Sequence, residues 1–270
     1  MRPRPAGAED CDRIWPAVSA EHLMDAPEEL RAYVAEGSWR VRVAGRGEAS
    51  LLGAWRLHLN VLAMRGVWCS ERHVPAFAQD AVDVAREHGF GRLLSPLLPI
   101  DLLGGYRRAG MSDLEPIVAI QGVPDRIQPA SLPPGVVLRH AVSADAEALA
   151  HLDAECFDAF WCYKSEELSE LLSRERCVLA QTGDGELIGY TLATVSRGAA
   201  TLSRLCASPR MRRSGIGSGL LSDVALWCRQ ERASTIALCT QEGNVASRAL
   251  YASAGLVELA QRYTFAMREI

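Results

Sequence analysis

The apolar positions in the second half of the chain fall into short alternating runs, interrupted by longer runs of helical period. Residues 136–139 read as a strand. Ser143 is expected to cap a helix with Ala148, Leu149 and Leu152 on one face, and Ser165 to open another with Leu168, Leu171 and Leu172. Residues 177–181 and 187–195 are strands joined across Gly183-Asp184-Gly185, a hairpin signal, and 200–207 follow as a third. A glycine-rich loop then leads into a helix from about 215 to 232, with Ile216, Leu220, Val224 and Trp227 or Cys228 facing inward. A strand at 235–240, a helix at 245–253 and strands at 256–259 and 263–267 complete the order β-α-α-β-β-β-α-β-α-β-β. This pattern predicts an α/β (α+β) fold, a mixed sheet covered by helices.

The first half echoes the second. Arg4-Pro5-Ala6-Gly7-Ala8-Glu9-Asp10 is similar to Arg139-His140-Ala141-Val142-Ser143-Ala144-Asp145, and Tyr106-Arg107-Arg108-Ala109-Gly110-Met111 to Tyr251-Ala252-Ser253-Ala254-Gly255-Leu256. The stretch 124–134 is rich in proline and lacks a periodic apolar pattern, so it reads as an extended linker. The expected organisation is therefore two copies of one domain, 1–123 and 135–270, joined by 124–134.

Composition narrows the setting. Of 270 residues 49% are hydrophobic and 23% charged, as in globular chains, and the net charge of −4 supplies no basic field for nucleic acid. No apolar run approaches the roughly 20 residues that span a bilayer, and residues 1–10 lack the apolar core of a leader. The eight cysteines stand singly, without a C-x-x-C pair, which reads as buried reduced thiols and not as a metal site. A cytoplasmic protein without a metal, nucleic-acid or membrane partner is expected.

The residues that carry chemistry lie at 205–221. A strand ending in Leu205, Cys206 and Ala207 runs into a loop with Arg210, Arg212 and Arg213, and Gly215, Gly217 and Gly219 open the helix that follows. Glycines allow close backbone approach, and unbonded N–H groups at a helix start attract phosphate. The pattern is neither a Walker A loop nor a complete G-x-G-x-x-G, because Leu220 takes the third glycine's place.

Arg212-x-x-Gly215-x-Gly217 after a strand resembles the pyrophosphate loop of the GNAT superfamily of acetyltransferases. Asn244-x-x-Ser247-x-x-Leu250-Tyr251-x-x-x-Gly255-Leu256 resembles that superfamily's second signature, with Ser247 in place of the usual alanine and Leu256 in place of phenylalanine. The resemblance covers about 135–270. It implies two tandem GNAT-type domains, each a mixed, mostly antiparallel sheet flanked by helices, and acetyl-CoA (coenzyme A) as cofactor. Main-chain groups of Leu205, Cys206 and Ala207 would pair with the pantetheine arm. The N–H groups of Arg212, Arg213, Ser214, Gly215, Ile216, Gly217, Ser218 and Gly219 would hold the pyrophosphate. Asn244 would hydrogen-bond the pantetheine, with Ser247 also among the cofactor-binding residues, and Tyr251 would lie near the sulfur as general acid. A phenol of pKa ~10 can protonate a thiolate of pKa ~8.5. Packing alone for Tyr251 and helix capping for Asn244 are the plainer readings.

A general base is not evident. Cys239 stands where some relatives carry glutamate; Glu155 and Asp158 are candidates, within a segment that, with Trp161 and Tyr163, reads as an acceptor wall, and a water-mediated route is a further choice. In the first copy the loop becomes Cys69-Ser70-Glu71-Arg72-His73-Val74 and Pro99 replaces the asparagine. That copy is expected to be degenerate, shaping the acceptor cleft or packing as a pseudo-dimer. The implied activity is acetyl transfer to a primary amine of a small molecule or peptide, by a monomer or homodimer. A non-catalytic acyl-CoA-binding module whose N-terminal half recognises a protein is the second reading.

Overall fold

Each half of the chain builds its sheet from a three-stranded antiparallel meander, then crosses over through a helix to a parallel neighbour. The computed structural model describes residues 2–20, 23–45 and 47–270. Met1, at the head of the segment read for a leader, lies outside them.

The first compact unit comprises Met1–Pro116 and Tyr263–Ile270. It contains β1 (Arg4–Pro5), α1 (Ala8–Ala20), α2 (Pro27–Glu36), β2 (Val41–Ala44), β3 (Glu48–Ala54), β4 (Val61–Trp68), α3 (Val74–Glu87), β5 (Arg92–Leu94), β6 (Leu98–Pro99), α4 (Gly104–Arg108) and β7 (Ser112–Asp113). The chain's final strand, β15 (Ala266–Glu269), completes this sheet, whose order is β1-β2-β3-β4-β5-β15-β7. Phe77, Ala78, Ala81 and Ala85 recur at helical spacing on α3 and are buried against Leu62, Met64 and Leu93 of the sheet.

The second unit is Ile117–Arg262. It contains β8 (Ile117–Gly122), β9 (Val136–His140), α5 (Ala146–Cys156), α6 (Ser165–Arg174), β10 (Arg176–Thr182), β11 (Leu187–Ser196), β12 (Ala199–Ala207), α7 (Ile216–Gln230), β13 (Thr235–Gln241), α8 (Val245–Ser253) and β14 (Val257–Thr264). Its strands run β14-β8-β13-β12-β11-β10-β9. Leu221, Val224, Ala225 and Cys228 of α7 pack on one face against Ala200, Leu202 and Ile236. Leu149 and Leu152 of α5 and Leu168 of α6 cover the other, against Leu179, Tyr190 and Leu192.

The element order agrees with the sequence reading, but the compact units divide elsewhere than at 123 and 135. Residues 117–122 pair along their whole length with β13, with Val118 and Ile120 in the second core, and the last eight residues belong to the first unit. Nor is 124–134 a free spacer. Ile127 is buried, Arg229 Nη1 donates to the Pro124 carbonyl at 2.8 Å, and the Ala130 N–H donates to Ser222 Oγ at 3.2 Å. Proline prevents strand pairing there, yet the intervening apolar side chains still find the surface of α7. A second local difference concerns α5: a 3-10 turn, Ser143–Asp145, precedes it, and Asp145 rather than Ser143 satisfies a free N–H, that of Val142 at 2.7 Å.

The two units repeat one another in detail. In the first, β4 pairs in parallel with β5 only over Val61–Ala63; in the second, β12 pairs with β13 only over Ala199–Thr201. Beyond those pairs each strand carries a bulge against its antiparallel neighbour, at Arg65 in one and Ser203 in the other. All of these positions are separated by the same 138 residues (199 − 61, 203 − 65).

Candidate functional site

The site follows from that early end of strand pairing. Past Ala237, β13 stays bonded to β8 alone, while β12 stays bonded to β11 alone. The right-handed twist of the sheet separates the two strands further, and one edge of β12 is left without a neighbour. A cleft of about 950 Å³ opens there, with Leu205, Cys206 and Ala207 on one side and Gly243, Asn244, Val245, Ala246 and Ser247 on the other.

The mouth of the cleft is the turn before α7. Gly215, at φ 95°, takes the left-handed conformation that a side chain disfavours, and it turns the chain into the helix. Arg213 is also left-handed, at φ 59°, and the turn is tied by Ser214 Oγ donating to the Met211 carbonyl at 2.6 Å. The first intrahelical bond runs from the Gly219 N–H to the Gly215 carbonyl at 2.9 Å. The N–H groups of Ile216, Gly217 and Ser218 therefore precede the helical ladder, and all three residues line the cleft. Arg212 and Arg213 line it too, and among the described residues neither has an ion-pair partner. Positive helix dipole, free amides and two guanidiniums thus converge on one end of the cavity.

Most of the residues expected at the site meet here, but three do not line it. Ser214 is exposed and ties the loop through its hydroxyl. Gly219 faces the 124–134 segment: a Cβ at this glycine would lie 2.5 Å from Leu132 Cδ2 and 2.9 Å from its Cγ, so its role is close packing of helix on chain. Tyr251 is buried in the core with Val118, Ile120 and Leu238, while its neighbours Leu250 and Ser253 form the cleft wall. Burial raises the Tyr251 phenol well above its ordinary value of 10.0. Asn244 does cap α8, its Oδ1 accepting from the Ser247 N–H at 3.2 Å, and its Nδ2 donates to Thr240 Oγ1 at 3.2 Å.

Several lining residues escaped the sequence reading. Ala246, Ala249, Leu250 and Ser253 share a helical face with Ser247, so the spacing of the second signature could have supplied them. Cys156, at the end of α5, and Phe157, just after it, also line the cleft; both belong to the segment expected to be an acceptor wall. Cys156 Sγ lies 2.7 Å from Cys206 Sγ, which joins α5 to the floor of the cleft.

The expected acceptor wall is anchored more than it is open. Asp153 is fully buried and accepts from Tyr190 Oη, from Arg204 Nη2 at 2.9 Å and from the Tyr163 N–H at 2.7 Å. The Arg204 guanidinium lies 3.9 Å from the Phe157 ring centre and 4.3 Å from that of Tyr163, and donates to the Trp161 carbonyl at 2.7 Å. A buried ion pair thus ties the loop after α5 onto β12. The two base candidates are engaged elsewhere: Glu155 accepts from Arg210 Nη2 at 3.4 Å, and Asp158 accepts from the Phe160 N–H at 2.9 Å.

In the first unit the corresponding region is filled. A Cβ on Gly105 of α4 would lie 2.6 Å from Val74 Cβ at the start of α3, so these helices touch where α7 and α8 stand apart. Glu71 pairs with Arg108 at 3.1 Å, and Glu48 accepts from the Ser70 N–H at 3.2 Å. Two carboxylates at that helix start oppose a phosphate.

Residues 146–256 match the profile of the acetyltransferase (GNAT) family. That segment is a GNAT-family domain, and the chain as a whole has the fold of tandem GNAT proteins. A tandem GNAT protein from the clavulanic acid biosynthesis pathway superposes with a TM-score of 0.70 at 15% identity, over 99% of this chain and 98% of its own. A GCN5-related N-acetyltransferase from Sphaerobacter thermophilus gives 0.63 at 18% identity, over 99% and 95%. The GCN5-related glucosamine N-acetyltransferase region of a fungal GH3 β-N-acetylglucosaminidase gives 0.73 at 10% identity, over 98% of this chain and 38% of that one. No curated protein matches the chain.

Proposed function

We propose that the second unit is an acetyl-CoA-dependent N-acetyltransferase acting on a primary amine of a small molecule or peptide. The observation that carries this reading is the cleft along 205–218: an unpaired strand edge leading to three free helix-start amides and two arginines that have no acid partner among the described residues. A pyrophosphate fits the amides of Ile216, Gly217 and Ser218 together with Arg212 and Arg213. The main chain of Leu205, Cys206 and Ala207 is free to pair with an amide-bearing arm such as pantetheine, as an added strand would. Asn244 and Ser247 border that arm from α8.

When bound, acetyl-CoA supplies the acetyl thioester; the chain positions it, keeps water out and manages protons. Tyr251 Oη, held protonated by burial, suits the role of proton donor to a leaving thiolate. Its place in the core, behind Leu250, keeps a second reading in view, a non-catalytic acyl-CoA-binding module with a protein-interacting first unit. Calorimetric titration with acetyl-CoA, followed by measurement of CoA release with primary amines, separates the two. Binding with amine-dependent release supports the enzyme. Binding without release supports the module, and no binding refutes both.

A further inference from the structure

Many carboxylates of the second unit are claimed by arginines or by main-chain amides. Arg139 holds Asp145, Arg176 holds Asp223, Arg204 holds Asp153, Arg262 holds Glu242 and Arg248 holds Glu258. Glu175 differs. It caps the end of α6, its side chain is half-buried, its carboxylate lies beside the Ser203 hydroxyl, and its Oε2 is buried and has no hydrogen-bond partner among the described residues. Its neighbours cannot neutralise it, because Arg174 is bound to Glu170 and Arg176 to Asp223 on α7.

Ser203 fixes where this carboxylate lies. It is the bulge residue of β12, two positions beyond the last pair with β13, and therefore stands where the sheet begins to split. Leu205, two residues further along, already lines the cleft; at ~3.3 Å per residue that is about 7 Å away. Around the split the sheet face is bare: Thr201, Ser203, Ala237 and Cys239 are exposed. A ligand on that face meets Glu175 at its border and the cleft through the gap between the strands.

We propose that Glu175 binds the ammonium group of the acceptor amine on this open face and takes one of its protons. This rests on the transferase reading above. The step is R–NH3⁺ + Glu175–COO⁻ → R–NH2 + Glu175–COOH, which frees the nitrogen lone pair for attack on an acyl carbon. In water the proton would move uphill, from an amine of pKa ~10.4 to a carboxylate of ~4.3. Burial of the carboxylate narrows that gap, since it disfavours the charged form of Glu175. The Glu175 carboxyl is indeed raised above its ordinary 4.5 by burial, with the Ser203 hydrogen bond opposing, and the carbonyl end of α6 acts in the same direction as burial. The substrate class follows: a cationic primary amine, and not an alcohol or a carboxylate.

The test uses the full chain, Glu175→Gln and three probe amines: cadaverine, 2-phenylethylamine and glucosamine. Glutamine keeps the size, leaves a carbonyl beside the Ser203 hydroxyl and relieves a buried charge, so the variant should melt at or above the wild-type temperature. In calorimetry without acetyl-CoA, at least one probe should bind the wild type and bind the variant ten-fold or more weakly, while acetyl-CoA affinity stays within two-fold. In turnover, kcat should fall about 100-fold or more. The variant's rate should then rise with pH toward the amine's own pKa while the wild type levels off. Equal amine binding, or wild-type turnover in a folded Glu175→Gln, overturns the assignment and leaves the transferase reading standing. A wild type that binds acetyl-CoA but neither binds nor acetylates any probe overturns both.

Discussion

Arg139 grips Asp145 through two hydrogen bonds of 2.7 Å, Nη1 to Oδ2 and Nη2 to Oδ1. Arg4 grips Asp10 in the same way, at 2.8 and 3.0 Å. In each case the carboxylate also accepts the N–H three residues before it, from Val142 or Gly7. The hydrogen bond from Arg139 lowers the Asp145 carboxyl below its ordinary 3.8, against the effect of burial and with help from the Val142 N–H. A depressed folded pKa means stability that is present above about pH 4 and is lost as pH falls through the folded value. Asp145→Asn should therefore cost about 1 kcal/mol at pH 7, kept modest because the Arg139 side chain is 41% exposed. The gap between the two melting temperatures should narrow as pH falls below about 4 and close once the carboxyl is protonated in the folded state. A gap that persists in acid would mean packing, not charge, holds this corner.

Acetyl-CoA should bind one site per chain. The second unit keeps α7 and α8 apart, whereas Val74 against Gly105 closes the first, with Glu48 and Glu71 beside it. Calorimetry giving two equivalent sites would contradict this.

Gly217 and Gly219 should separate binding from stability. A Cβ at Gly217 would meet Leu250 Cδ2 at 3.1 Å, a contact that side chain can relieve, but a glutamate there enters the cleft beside the free amides. Gly217→Glu should weaken acetyl-CoA binding by about 100-fold, or ~2.7 kcal/mol, in a protein that still melts cooperatively. Gly219→Ala should do the reverse. It presses on Leu132 and should lose about 1 kcal/mol of stability after the helix-propensity gain, with affinity unchanged. Swapped outcomes would move the phosphate site along the helix.

Tyr251→Phe should lower turnover by ~10²–10⁴-fold while acetyl-CoA affinity and melting temperature hold. Phenylalanine keeps the ring that packs on Ile120 and Leu238, so only the hydroxyl is lost. Turnover at the wild-type chemical rate would reduce Tyr251 to a core residue.

The elements and the phosphate loop were legible because each is encoded locally: apolar period for α7, glycine at a left-handed turn, asparagine at a helix start. What escaped depended on partners distant in sequence. Nothing around Glu175 announces that its carboxylate lacks a cation; that emerges only when Arg174 and Arg176 are seen bound elsewhere. Gly219 read as a phosphate glycine because its contact, Leu132, lies 87 residues away (219 − 132) in a stretch that looked like spacer. The division at 116 was hidden similarly, since β8 reads as an ordinary strand and only its register with β13 assigns it to the second unit.

Because β15 pairs with β5 on one side and β7 on the other, an interior place in the first sheet stays vacant until residues 266–269 are made. During synthesis, residue 116 precedes residue 266 by 150 positions (266 − 116). At ~5–20 residues per second the nascent first unit waits about 7–30 s for its missing strand. Over that interval the edges of β5 and β7 offer unpaired backbone to any passing strand. The second unit closes earlier, with Arg262. The ribosome thus delivers the site-bearing unit before the first unit can finish folding, and a stop codon placed just after Arg262 would cost the first unit a strand while leaving the second unit whole.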